Sequence, residues 1–74
     1  MIVVNAVIES TADNIANMAG AIAAMEAASR LEAGCHAYTF SVELNNQNVL
    51  RITEKWESMA ALVEHFGQPH MVAF

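Results

Sequence analysis

Apolar side chains crowd the first stretch of the chain, Ile2 to Glu9, and most of them are β-branched: Ile2, Val3, Val4, Val7 and Ile8. Such residues favour an extended strand. One face carries Ile2, Val4, Ala6 and Ile8 and the other Val3, Asn5 and Val7. Both faces are therefore expected to be covered, with Asn5 turned inward and in need of a polar partner. The period then changes. Ile15, Met18, Ile22, Met25 and Ser29 recur every three or four residues in an alanine-rich stretch, and Ala12, Ala16 and Ala19 broaden the stripe. That spacing predicts one helix reaching to about Leu31. Ser10-Thr11 offers its N-cap, and Asp13 lies where the helix dipole favours an acid. Gly34 suits a left-handed stop.

From Cys35 to Leu44 the pattern alternates again. His36, Tyr38, Phe40, Val42 and Leu44 share one face, and Cys35, Ala37, Thr39, Ser41 and Glu43 the other. Asn45-Asn46-Gln47-Asn48 reads as a turn, because Asn tolerates left-handed backbone. A third strand from Val49 to about Glu57 sets Leu50, Ile52, Glu54 and Trp56 against Arg51, Thr53 and Lys55, closing a hairpin. Ser58 caps a second helix with the stripe Met59, Leu62, Val63 and Phe66, and Gly67 ends it. Pro69 then opens a short last segment. Strand, helix, strand, strand, helix is an α+β order: a ferredoxin-like βαββα unit, one domain over residues 1–74, with its final strand missing.

Composition adds a demand for a partner. A 74-residue chain has a marginal core. Cys35 is the only cysteine, so neither a disulfide nor a cysteine metal pair can reinforce it. With 55% apolar and 15% charged residues, a homodimer is the expected remedy. The net charge is −5, and Arg30, Arg51 and Lys55 are scattered, which argues against nucleic acid and anionic membranes as partners. No apolar run is long enough to span a bilayer, no basic leader precedes Ile2, and a lone cysteine suits the cytoplasm.

The candidate chemistry is sparse. The Trp56 indole can wall a pocket and donate its N–H to a bound carbonyl or oxygen species, or simply fill the core. His65 and His70 are five residues apart with Gly67 and Pro69 between them, so they do not share one helical face. Glu64 points elsewhere, and no metal centre is expected. One histidine can serve as a cavity-facing base; otherwise each packs or caps locally. Tyr38 can donate to a phenolate or pack. Strand alternation separates Cys35 from His36, which disfavours a nucleophilic Cys–His pair.

The stretch from Gly34 to Phe74 resembles the antibiotic biosynthesis monooxygenase family. Gly34-Cys35 with Tyr38 looks like the opening of that family's second strand. Glu54-Lys55-Trp56-Glu57-Ser58 looks like its Glu-x-Trp signature, and His65, Pro69-His70 and Phe74 like its histidine elements. The resemblance implies a dimeric α/β barrel in which each subunit keeps a pocket between sheet and helices. It implies oxygenation of quinol-like aromatics without metal or flavin, the electron-rich substrate anion itself activating oxygen. Carried over residue by residue, it suggests Trp56, His65 and Asn5 as catalytic groups, Asn5 by likeness to the haem-degrading branch. It suggests Tyr38, Ile52, His70 and Phe74 as substrate-binding groups. Two departures stand out: the fourth strand is missing, and Ile52 occupies a position where some quinol-oxygenating members carry Asn. The reading is a cofactor-independent monooxygenase for a small aromatic or quinol-like molecule. The alternatives are a non-catalytic dimeric small-molecule-binding or stress protein, which Ile52 favours, and a haem-degrading monooxygenase.

Overall fold

The computed structural model describes residues 1–73. Its elements are β1 (Ile2–Glu9), α1 (Ala12–Asn17), α2 (Ala19–Arg30), β2 (Cys35–Glu43), β3 (Asn46–Trp56), α3 (Met59–Phe66) and α4 (Pro69–Ala73). The three strands form one antiparallel sheet in the order β1-β3-β2. β3 is central, pairing Ile2 through Glu9 of β1 with Trp56 through Val49. This is the expected α+β, ferredoxin-like arrangement, and the described residues contain three strands.

The helices lie on one face of the sheet. Met25, Tyr38, Trp56 and Leu62 form the main core, with Ile2, Val4, Cys35 and Ile52 packed around them. Ile15, Ile22 and Leu50 form a second cluster, and Phe40 touches both. The face of β3 with Leu50, Ile52, Glu54 and Trp56 is the covered one, as its alternation predicts. For β1 the expectation of two covered faces fails. Val3 and Val7 are each 54% exposed, and Asn5 is exposed between them, because no helix lies on that side.

Local chemistry explains most of the element ends. The Thr11 hydroxyl accepts the Asn14 N–H and starts α1. The single predicted helix is interrupted at Met18, whose N–H reaches both Asn14 and Ile15 carbonyls. Ile15, Ile22, Met25 and Ser29 are buried as their spacing predicts, while Met18, at the break, is the exposed member of the stripe. Gly34 adopts φ +83, the left-handed stop. A register shift between Cys35 and Ala37 then interrupts the strict alternation of β2. The bulge leaves His36 exposed and turns Cys35 into the cluster containing Tyr38.

The hairpin is tighter than expected. Glu43 pairs with Asn46, so the turn is Leu44-Asn45 and β3 starts at Asn46. Among the described residues none but glycine has positive φ, so the asparagines are not used for left-handed backbone. Instead Asn48 accepts the Ala12 N–H on its side chain and the Ser10 N–H on its carbonyl, both at 2.8 Å, tying the hairpin to the start of α1.

Ser58 caps α3 through the Ala61 N–H. The inward face of α3 is Ala61, Leu62 and His65: of the predicted stripe only Leu62 is buried, and Met59, Val63 and Phe66 are more than half exposed. The reason is Gly34: a Cβ there would lie 2.7 Å from the Ala61 Cβ, so the missing side chain lets the Ala61 side of α3 press down. Side chains of α2 cover the β2 edge. Arg30 donates to the Tyr38 carbonyl and Glu26 accepts the Phe40 N–H, each at 2.9 Å. Among the described residues no helix is long and apolar enough to cross a membrane.

Candidate functional site

Where α3 presses on the sheet, polar side chains are drawn into the core. Trp56, at the end of β3, is wholly buried, and its indole N–H donates to Glu54 at 2.9 Å. Glu54 shares that face two residues earlier and is only 8% exposed. An unpaired carboxylate at such depth would be costly, so the indole donor is part of what holds it there.

His65 is also wholly buried. Its ring lies 4.6 Å from that of Trp56 and 5.3 Å from that of Tyr38, centroid to centroid. Its Nδ1 is 2.6 Å from Glu32 Oε2. Its Nε2 has no hydrogen-bond partner among the described residues and stands 4.0 Å from Glu54 Oε1. Glu32 lies in the loop between α2 and β2, and the same Oε2 is 2.7 Å from Nε2 of His70 on α4. One carboxylate oxygen thus joins two imidazoles from separate helices, with ring centroids 6.0 Å apart. The break at Gly67 and Pro69, which keeps the two histidines off a common helix face, is what lets them converge. A metal-capable set of Glu32, His65 and His70 results, with ligand atoms all within 4.8 Å of one another. The sequence offers no third ligand beside the two histidines, since Glu64 points elsewhere; the fold supplies Glu32, 33 residues before His65.

Burial and, next, the nearby Glu54 carboxylate push the Tyr38 hydroxyl up to about 12, so it is a proton donor and not a phenolate. Burial, then Glu32, also raises the Cys35 thiol. This is the opposite of what a thiolate nucleophile needs.

A cavity of about 560 Å³ opens beside this cluster, between the end of α2 and α3. Glu32 and His70 face it, Ala28, Gly34 and Ala61 form apolar wall, and Glu57 and Glu64 add carboxylates. Among the described residues proposed from the sequence as catalytic or substrate-binding, His70 alone lines it. Trp56, His65 and Tyr38 stand behind it, His65 linked to it through Glu32. Ile52 packs in the main core. Asn5 is not in the site. It lies on the bare face of the sheet beside Thr53, whose hydroxyl is 3.4 Å from its Oδ1, because only the Ile2, Val4 and Ala6 side of β1 meets the helices. Phe74 lies outside the described residues. Glu32 and Glu54 are the members that sequence reasoning passed over. A signal existed for Glu54, an acid on the apolar face of β3; none existed for Glu32, whose role comes from a loop returning on two distant helices.

The comparisons with known proteins agree with this fold. The family described as antibiotic biosynthesis monooxygenase matches residues 1–74. No curated protein matches the chain. A Deinococcus radiodurans structure bearing the same family name superposes with a TM-score of 0.90 at 25% identity, over 99% of this chain and 72% of that one. A Mycobacterium tuberculosis protein is similar at 28% identity and a TM-score of 0.84, over 96% of this chain and 71% of its own. A Pseudomonas aeruginosa protein is similar at 26% identity and a TM-score of 0.87, over 97% and 73%. With its whole length matched by the family and its fold shared with these structures, the chain belongs to the antibiotic biosynthesis monooxygenase family.

Proposed function

We propose that the chain is a monooxygenase acting on a small aromatic or quinol-like molecule, with oxygen activated by the electron-rich substrate. The observation that carries this reading is the His70 imidazole, paired with Glu32, in the wall of the 560 Å³ cavity. That volume falls in the range of about 300–1,000 Å³ that suits a small ligand. His70 removes the phenolic proton, and the Glu32 carboxylate holds the ring and offsets the charge it gains. The resulting anion gives up electrons to oxygen. Overall one oxygen atom enters the ring and the other leaves as water, so a hydroquinone and O₂ become a hydroxyquinone and H₂O. Trp56, Tyr38 and His65 support the pair from behind.

A second reading, non-catalytic binding of a small molecule, has one observation in its favour. Glu32, Glu57 and Glu64 face the cavity and no lysine or arginine does, which opposes holding a phenolate. Oxygen uptake with a panel of hydroquinones separates the two. The oxygenase reading expects uptake with at least one of them, reduced about 10²–10⁴-fold in His70→Ala. No uptake above buffer with any quinol would overturn it. Quinols that still change the emission of Trp56, the single tryptophan, would leave the binding reading standing.

A further inference from the structure

We propose that Glu32, His65 and His70 form a binding site for one divalent transition-metal ion of the zinc or cobalt type, with its remaining coordination positions open to the cavity. The inference does not rest on the oxygenase reading; it rests on the geometry of this triad.

The donor set is two imidazole nitrogens and a carboxylate oxygen, a combination that suits first-row divalent ions. Glu32 Oε2 is 2.6 Å from His65 Nδ1 and 2.7 Å from His70 Nε2, and one ligand atom from each of the three residues lies within 4.8 Å of the other two, close enough for one ion to reach all after small side-chain adjustments. They come from a loop, α3 and α4, so the fold and not a local sequence repeat assembles them.

An independent observation is the state of His65. The ring is wholly buried and meets a carboxylate at each nitrogen: Glu32 at 2.6 Å from Nδ1 and Glu54 at 4.0 Å from Nε2. A neutral imidazole donates from only one nitrogen. If Nδ1 carries the proton, the bare Nε2 lone pair faces Glu54, and Nε2 is left without a hydrogen-bond partner. If Nε2 carries it, the Nδ1 lone pair confronts Glu32 at 2.6 Å. A cation between Nδ1, Glu32 and His70 removes the conflict. The Nε2–H then faces Glu54, at 4.0 Å beyond hydrogen-bond distance but on the side where a carboxylate behind a ligating histidine orients the ring.

The surroundings favour a cation as well. Glu57 and Glu64 face the same cavity, and no basic side chain lines it except His70 itself. With three protein ligands and solvent access on the Glu32 and His70 side, the site has the form of an open metal centre and not a closed structural one. Metal binding and the base role of His70 exclude each other, because a basic His70 paired with Glu32 carries its proton on Nε2, the atom the ion would take.

Calorimetric titration of the whole chain with Zn²⁺, and the visible absorption of its Co²⁺ complex, test this directly. The expected result is one ion per chain, with a Co²⁺ spectrum of nitrogen and oxygen ligation. Affinity should fall by about 100-fold or more in Glu32→Gln and in His70→Ala, exceeding the 10–100-fold typical of a lost supporting contact. Both variants should keep the native circular dichroism, since Glu32 and His70 are only partly buried. His36→Ala, which removes the exposed bulge histidine, should leave binding unchanged. Absence of saturable binding would overturn the proposal. Binding that survives Glu32→Gln and His70→Ala, or that His36→Ala abolishes, would overturn it equally. Zn²⁺ should also suppress any quinol-dependent oxygen uptake. If no uptake exists, the calorimetry and the Co²⁺ spectrum still decide the metal site alone.

Discussion

Tyr38 is the chain's single tyrosine and is 2% exposed, packed edge-on to Phe40 and Trp56 and beside His65. Its hydroxyl is pushed up to about 12, first by burial and then by Glu54. The folded state therefore holds this proton to higher pH than the unfolded chain does. The stability tied to it is fully present below pH ~10 and is lost as the pH rises from ~10 through about 12. Tyrosinate absorbance, reporting one residue only, should show a midpoint near 12 in the native protein and near ~10 in denaturant. A native midpoint near ~10 would contradict the burial of the hydroxyl beside Glu54. At this scale the sequence reveals residue type better than residue company. Trp56, Tyr38, His65 and His70 stand out because few side chains can carry chemistry in so apolar a chain, and all four gather in one region. Asn5 does not join them, since two apolar faces on β1 cannot say which one the helices choose. Glu32 escapes notice because a glutamate after a helix is ordinarily a solvated end.

Two glycines show how the elements are set against one another. Gly34 combines φ +83 with a 2.7 Å approach of a would-be Cβ to Ala61. Gly34→Ala should therefore cost about 2–4 kcal/mol, from left-handed strain together with overpacking against α3. It should also loosen the contact that brings His65 to Glu32. Gly20, in the exposed first turn of α2, has nothing within 4 Å of a built Cβ. Gly20→Ala should stabilise by about 0.5–1 kcal/mol through helix propensity and a less flexible unfolded chain. Thermal unfolding checks both, at about 4–8 °C per kcal/mol for a domain of this size. Similar effects at the two positions would show that Gly34 does not set the seat of α3. Element types and most element ends are legible in the chain, because caps such as Thr11 and Ser58 and stops such as Gly34 act locally. What is not legible is non-local. The bulge at His36, the break at Met18 and the rotation of α3 away from its apolar stripe all follow from how close the layers come.

The whole molecule leaves a conflict that a second copy resolves. The chain exposes 4731 Å², against on the order of 11,600 Å² for an unfolded chain of its 8.0 kDa, a burial at the low end for independent stability. The helices cover one face of the sheet, and the other presents Val3 and Val7, each 54% exposed, beside Asn5 and Thr53. The two sheet edges also differ. Arg30 and Glu26 engage the backbone of β2 at Tyr38 and Phe40, whereas no side chain does the same for β1 among the described residues. A bare edge next to a bare apolar face invites another sheet. A two-fold partner offers the same surface in return, so one self-complementary contact covers Val3 and Val7 on both chains. The expected state is a homodimer with a total buried area above ~1,000 Å². Sedimentation equilibrium at micromolar concentration should return twice the 8.0 kDa chain mass. The melting temperature should rise with protein concentration, because dissociation and unfolding are then linked. Val3→Asp with Val7→Asp places like charges in the interface and should yield monomer, unfolded chain or both. A folded monomer of the unsubstituted chain with a concentration-independent melt would refute the dimer, and the bare face of β1 would then have to be stable in water on its own.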